Sequence, residues 1–196
     1  MKPKKNSKNS FFWIFLVTLG LILFHLSQES PIDRVETTSQ LSQEEVTQAF
    51  IQKIAPQAVQ IARDHDLYPS VMIAQAIHES NAGQSGLSTQ YNNLFGIKGD
   101  YQGQSANLET WEDDGNGNTY TIRDSFRVYP TWEASLEDYA DVLSQPLYEG
   151  VHRTSAASYQ SATAALVGTY ATDTSYAERL NVYIDMYKLA AYDFSF

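Results

Sequence analysis

The chain has no cysteine. That absence excludes a disulfide framework, a thiolate zinc site and a cysteine nucleophile. Histidine is also sparse: His25, His65, His78 and His152 are the four present, and none is spaced as a ligand pair. His78 and Glu79 begin like the zinc-protease helix motif, but the second histidine would fall at position 82, which is Ala82. No Gly-x-Ser-x-Gly elbow, phosphate loop or dinucleotide fingerprint occurs. "EDDGNG" lacks the bidentate acid of a calcium loop at the required offset and reads better as a hairpin tip. Positive charge is scarce beyond the N-terminus. With Lys2, Lys4, Lys5, Lys8 and Glu29 set aside, residues 31–196 hold nine basic and 22 acidic side chains, a formal charge of −13. An acidic surface without a basic patch argues against a nucleic-acid partner, and against electrostatic adhesion to anionic lipid or polymer.

What is present starts with the N-terminus. Residues 1–10 carry four lysines and no acid, and "FFWIFLVTLGLILFHL" follows, almost wholly apolar. A basic flank before an apolar run is an export signal whose lysines stay in the cytoplasm. Sixteen residues reach roughly 24 Å as a helix, against a hydrocarbon core of about 30 Å. "SQESPIDRVE" offers no small-x-small cleavage site, which favours an uncleaved anchor. The expected organisation is a cytoplasmic basic tail over 1–10, a transmembrane signal anchor over 11–27, a polar linker over 28–41 and a folded domain over 42–196. That places the domain outside the cell, held at the membrane by a single pass or, alternatively, secreted to the cell wall.

Periodicity predicts a mainly helical, α+β domain. Ser42 and Glu45 have capping-box spacing, with Leu41 and Val46 at the staple positions around it. Val46, Phe50 and Ile54 share a helical face, and Pro56 is expected to bend or restart that helix. "YPSVMIAQAIHES" is a second helix with Pro69 in its first turn. Two β-prone runs flank "DDGNGN" and predict a hairpin. Helices return around Trp132, Leu136, Tyr139 and Leu143, over "YQSATAALVGTY", and around Tyr176, Leu180, Tyr183 and Tyr187. Thirteen tyrosines, nine phenylalanines and three tryptophans are enough both for core packing and for a groove that stacks on sugar rings.

Glu79 is the candidate for chemistry. It follows the apolar stripe of Met72, Ile73, Ala76 and Ile77 by helical steps, so it sits on or beside the buried face. Two readings fit this placement. It is a stripe-edge carboxylate reaching back to water, or a partly buried acid whose raised pKa suits a general acid. The hairpin supplies further acids: Glu109, Glu112, Asp113 and Asp114. Two carboxyl groups across a cleft are the usual equipment for glycoside hydrolysis, although hairpin acids are commonly just solvated charges.

Four stretches carry a resemblance: "AQAIHESNAGQSGLS", "YNNLFGIKG", "TWEDDGNGNTYTIRDSFRVYPTWEASLEDYADVL" and "YATDTSYAERLNVYIDMYKLAAYD". In this order and spacing, from about Ile54 to Asp193, the chain resembles glycoside hydrolase family 73, the bacterial cell-wall endo-β-N-acetylglucosaminidases with a lysozyme-like fold. The resemblance implies that a β-hairpin lobe overhangs a helical domain. It implies that Glu79 is the general acid and Glu112, in Thr-x-Glu, the second acidic residue. It implies that Tyr170, opening "YATD", lies near the sugar at the cleavage point, and that Asn93 and Phe95 line the groove. Thr174 stands where the family often has proline, a departure that touches turn rigidity alone. The implied reaction is cleavage of the β-1,4 bond after N-acetylglucosamine in peptidoglycan glycan strands, by a monomer, without a metal or other cofactor. Alternatives are a lytic transglycosylase or muramidase on a related fold, and a non-catalytic anchored wall-binding protein.

Overall fold

A computed structural model describes residues 41–113 and 119–194, and all that follows concerns those residues. The first helix, α1, spans Gln43–Asp64. Its capping box forms: Glu45 N donates to Ser42 Oγ at 3.2 Å, and Ser42 N donates to Glu45 Oε2 at 2.7 Å. Leu41 stays 62% exposed, so it does not close a staple. Pro56 does not restart the helix; α1 runs through it. Proline deletes one backbone bond, and because Gln52 and Pro56 are both exposed the freed carbonyl can turn to water.

Helix α2, Pro69–Ser80, lies at the centre. Every residue from Pro69 to Ile77 is buried, as in a helix surrounded by others. A short α3, Gly86–Tyr91, follows. Strands β1, Ser105–Asp113, and β2, Thr119–Arg127, form an antiparallel hairpin with Glu112 opposite Tyr120. The chain then returns to helix in α4 (Trp132–Leu143), α5 (Tyr159–Leu166) and α6 (Tyr176–Met186). Two 3-10 segments, Pro146–Val151 and Leu189–Phe194, fill the gaps between helices. The predicted faces are the ones buried: Phe50 and Ile54 of α1, Leu136, Tyr139 and Leu143 of α4, Tyr176 and Leu180 of α6. The fold is thus mainly helical with one small two-stranded sheet.

The start of α2 is held by a distant part of the chain, and its end by the turn that follows it. Tyr68 at its N-cap offers no side-chain bond. Asp193 serves instead: its carboxylate accepts from Ser70 N at 2.9 Å and from Ser70 Oγ at 2.8 Å. At the other end Asn81, Ala82 and Gly83 all take positive φ, a left-handed turn that stops the helix. Ser80 ties that turn together, because Gly83 N donates to Ser80 Oγ at 2.7 Å. A Cβ at Gly83 would lie 2.8 Å from both Phe50 and Trp132, so only glycine fits there.

The hairpin is tied to the helices at its base. Gly99 N donates to Ser125 O at 2.8 Å, and Arg127 N donates to Ile97 O at 3.0 Å. Arg127 Nη1 and the Tyr129 hydroxyl both donate to Asp138 of α4, at 2.6 Å to Oδ2. The anchor and linker expected over 11–41 lie, but for Leu41, outside the described residues. Among the described residues, no helix is long and apolar enough to cross a membrane.

Candidate active site

Glu79 stands at the C-terminal end of α2, partly buried. The Tyr176 hydroxyl of α6 donates to its Oε1 at 2.6 Å. Tyr176 in turn accepts from Gln75 Nε2 at 2.9 Å, and Gln75 Oε1 accepts from the Tyr139 hydroxyl of α4. Gln75 is one helical turn before Glu79, so both side chains fall on the same side of α2. Burial pushes the Glu79 carboxyl up to about 8, against the opposing effects of the Tyr176 bond and the Arg179 guanidinium. The group therefore keeps its proton at neutral pH and can deliver it.

Aromatic rings surround this carboxyl. Tyr170 stacks on Tyr176 with centroids 6.1 Å apart, and Phe95 stacks on Tyr139 at 4.0 Å. His78 meets Tyr176 edge-on at 5.6 Å, and burial pushes its imidazole down to about 4, so it is neutral at pH 7. Arg179 is held by Asp173, which Ser175 also engages; these bonds hold the Asp173 carboxyl down at about 2.

The other sequence-predicted residues fall into three groups. Tyr170 is near Glu79 but only 1% exposed, and its hydroxyl donates to Phe95 O at 3.0 Å. The hydroxyl beside the acid belongs to Tyr176, six residues on. Asn93 and Phe95 were expected in the groove, yet both are buried. Asn93 Nδ2 donates to Ile97 O and Arg127 O at 3.0 Å, and its Oδ1 accepts from the Phe95 and Ile97 amides, so it organises the loop beneath the hairpin. A side chain whose polar atoms are all occupied inside the protein has none to offer a sugar. Glu112 lies near the end of β1, where strand alternation puts position 112 in phase with 106, 108 and 110. Glu109, on the opposite phase, is exposed beside Arg123 at 3.8 Å.

Sequence reasoning does not single out Gln75, Tyr139 or Arg179 as site residues, and it reads Tyr176 as core. A signal for Gln75 exists: a lone amide four residues before the acid, inside an otherwise apolar helix, has to be hydrogen-bonded. A separate cavity of about 580 Å³ lies between α1 and α4, where Lys53 caps the Trp132 ring at 3.7 Å. None of the groups around Glu79 lines it.

Residues 55–189 match the family model Glucosaminidase, described as mannosyl-glycoprotein endo-beta-N-acetylglucosaminidase. The chain is 47% identical over 175 residues to a probable N-acetylmuramidase of Lactococcus lactis subsp. lactis, covering 86% of this chain and 38% of that protein. It is 34% identical over 201 residues to the exo-glucosaminidase LytG of Bacillus subtilis, covering 98% and 69% respectively. Among solved structures, the catalytic domain of the autolysin Auto from Listeria monocytogenes superposes with a TM-score of 0.71 at 41% identity, covering 84% of this chain and all of that one. The chain thus spans less than half the length of the Lactococcus relative.

Proposed function

The chain belongs to the glucosaminidase family, glycoside hydrolase family 73, and from that premise we propose that it hydrolyses the β-1,4 bond between N-acetylglucosamine and N-acetylmuramic acid in peptidoglycan. The observation that carries the reading is the Glu79 carboxyl, hydrogen-bonded to Tyr176 and kept protonated by burial up to about 8. Glu79 gives its proton to the departing O4 of N-acetylmuramic acid as the bond to the anomeric carbon breaks. Water then adds to that carbon and releases a proton. Either Glu112 takes this proton as base, or the substrate's own acetamido group attacks first and water opens the resulting oxazolinium. Tyr170, Asn93 and Phe95 serve by shaping the site: Tyr170 braces Tyr176, and the other two hold the loop beneath the hairpin.

The relative named a muramidase supports a second reading, in which the other glycosidic linkage is cut by the same acid. The products separate the two, because the sugar left at the reducing end differs.

The apolar run behind four lysines supports an anchor over 11–27, with the catalytic domain, 42–196, outside the cell and joined by a linker over 28–41. The net charge of −13 over residues 31–196 supports a neutral or locally bound glycan, not a nucleic acid, as partner. The chain acts as a monomer in this reading. Replacing Glu79 by glutamine (Glu79→Gln) removes the proton and preserves the shape. We expect lysis of purified walls in a zymogram to disappear while circular dichroism stays unchanged. Wild-type lysis by that variant would sink the assignment.

A further inference from the structure

The hydrogen bonds behind Glu79 run in one direction only. The Tyr139 hydroxyl gives its proton to Gln75 Oε1, which turns the amide so that Nε2 faces Tyr176. An amide nitrogen can only donate, so the Tyr176 oxygen accepts there and its single proton must go elsewhere. It goes to Glu79 Oε1, 2.6 Å away. Gln75, Tyr139 and Tyr176 have no exposed surface, so bulk water does not compete for these bonds.

We propose that this Tyr139–Gln75–Tyr176 chain decides which oxygen of Glu79 carries the acid proton: Oε1 is committed as an acceptor, and Oε2 holds the proton delivered to the substrate. The proposal rests on Glu79 being the general acid. A carboxylic acid whose Oε1 already accepts a hydroxyl proton carries its own hydrogen on the other oxygen. Once that hydrogen leaves, the bond from Tyr176 becomes charge-assisted and strengthens, so it stabilises the anion as it forms. Gln75 and Tyr139 act through Tyr176, and are positioning residues.

Charge elsewhere also sets the affinity of Glu79 for its proton. From α6 this is Arg179, which is paired with Asp173 and lowers the Glu79 pKa; Tyr183 of the same helix also faces the carboxyl but is neutral where Glu79 titrates. Tyr139 of α4 and Tyr170 before α6 also face the carboxyl; its charge pushes their hydroxyls up, so both stay neutral where Glu79 titrates. His78 is the neighbour on α2, and it is neutral above about pH 4. The substitutions below leave all of these in place except the hydroxyl removed.

The test is a carbon-13 NMR titration of the Glu79 carboxyl in the full chain, its resonance assigned by its loss in Glu79→Gln, alongside the pH dependence of wall lysis. In Tyr139→Phe the amide is free to turn, so Gln75 Oε1 takes the Tyr176 proton away from Glu79. The Glu79 midpoint should rise by about one pH unit. The alkaline limb of kcat should move with it, and KM should not. Adding Gln75→Met to that variant removes the competing acceptor. Tyr176 then returns to Glu79, and the midpoint should fall back towards wild type. A purely structural role makes the double variant worse, not better. Tyr176→Phe alone should give the same rise, with no further rise when Tyr139→Phe is added. An unshifted midpoint in Tyr139→Phe, or a double variant with Gln75→Met that is not restored, overturns the proposal. If Tyr139→Phe does not fold, Gln75→Met alone decides: a midpoint near wild type supports the proposal, and a rise equal to that of Tyr176→Phe refutes it. The titration needs no turnover. A chain that shows these shifts but lyses no wall would therefore count against the hydrolase reading and leave the relay standing.

Discussion

A carboxyl group at the C-terminal end of a helix faces the negative end of the helix dipole, and Glu79 adds burial to that disadvantage. Both effects favour the protonated form. The consequence for stability has a definite sign. The unfolded chain ionises this group above its ordinary value of 4.5, whereas the folded chain holds its proton up to about 8. Stability attached to that proton is therefore complete below 4.5 and is lost as pH rises through about 8. Glu79→Gln escapes this loss. The variant should melt near the wild type at acidic pH and increasingly above it towards pH 8, as read by thermal melts across that range. A gap that shrinks with rising pH contradicts the raised pKa. Helical phase puts Glu79 beside the buried stripe but leaves it either a solvated residue or an acid, and the family resemblance is what singles it out. The placement of Asn93 and Phe95 is not legible in the sequence, because a motif shows which residues belong to a site and not whether they face it. Asn93 spends its amide on backbone atoms at residues 95, 97 and 127, contacts that no local pattern encodes.

At the scale of elements, the site depends on α2 being held at both ends. Asp193 is 123 residues from Ser70 in sequence, and its buried carboxylate supplies the cap that Tyr68 cannot. Asp193→Ala should cost about 1–3 kcal/mol, since it leaves a buried amide and hydroxyl without their acceptor. A lowered midpoint in urea unfolding checks this; an unchanged midpoint means that the helix start does not need the cap. Gly83→Ala should cost a similar amount, about 1–3 kcal/mol, because it forces a side chain into positive φ and into contact with Phe50 and Trp132. Most elements are readable from period and turn chemistry. The capping box, the hairpin and the faces of α4 and α6 all follow from local spacing. Pro56 leaves α1 unbroken because a helix tolerates the lost bond where water can replace it. Helix α3 and the two 3-10 segments escape a sequence reading because they are too short for periodicity to register. The Asp193 cap escapes it because the cap joins the ends of the domain.

At the scale of the whole molecule, the proposed function needs a glycan strand to reach the acid on the central helix, with the hairpin tied to the helices at its base. The acidic surface gives the domain no general attraction for an anionic polymer, so recognition has to come from contacts within the site. If the acetamido group of the substrate is the nucleophile, Glu112→Gln should reduce kcat far less than Glu79→Gln, as measured by release of reducing sugar from purified walls. A loss equal to that of Glu79→Gln assigns the base to Glu112 instead. The family is legible in the sequence because four motifs recur in order, whereas the partners of its acid come together only through the packing of α2, α4 and α6. Mass spectrometry of purified peptidoglycan digested with the wild type and with Glu79→Gln decides whether Glu79 is the acid of a glucosaminidase. The wild type should release fragments ending in reducing N-acetylglucosamine and the variant none. Fragments ending in N-acetylmuramic or anhydromuramic acid, or the same fragments from both proteins, would contradict that assignment.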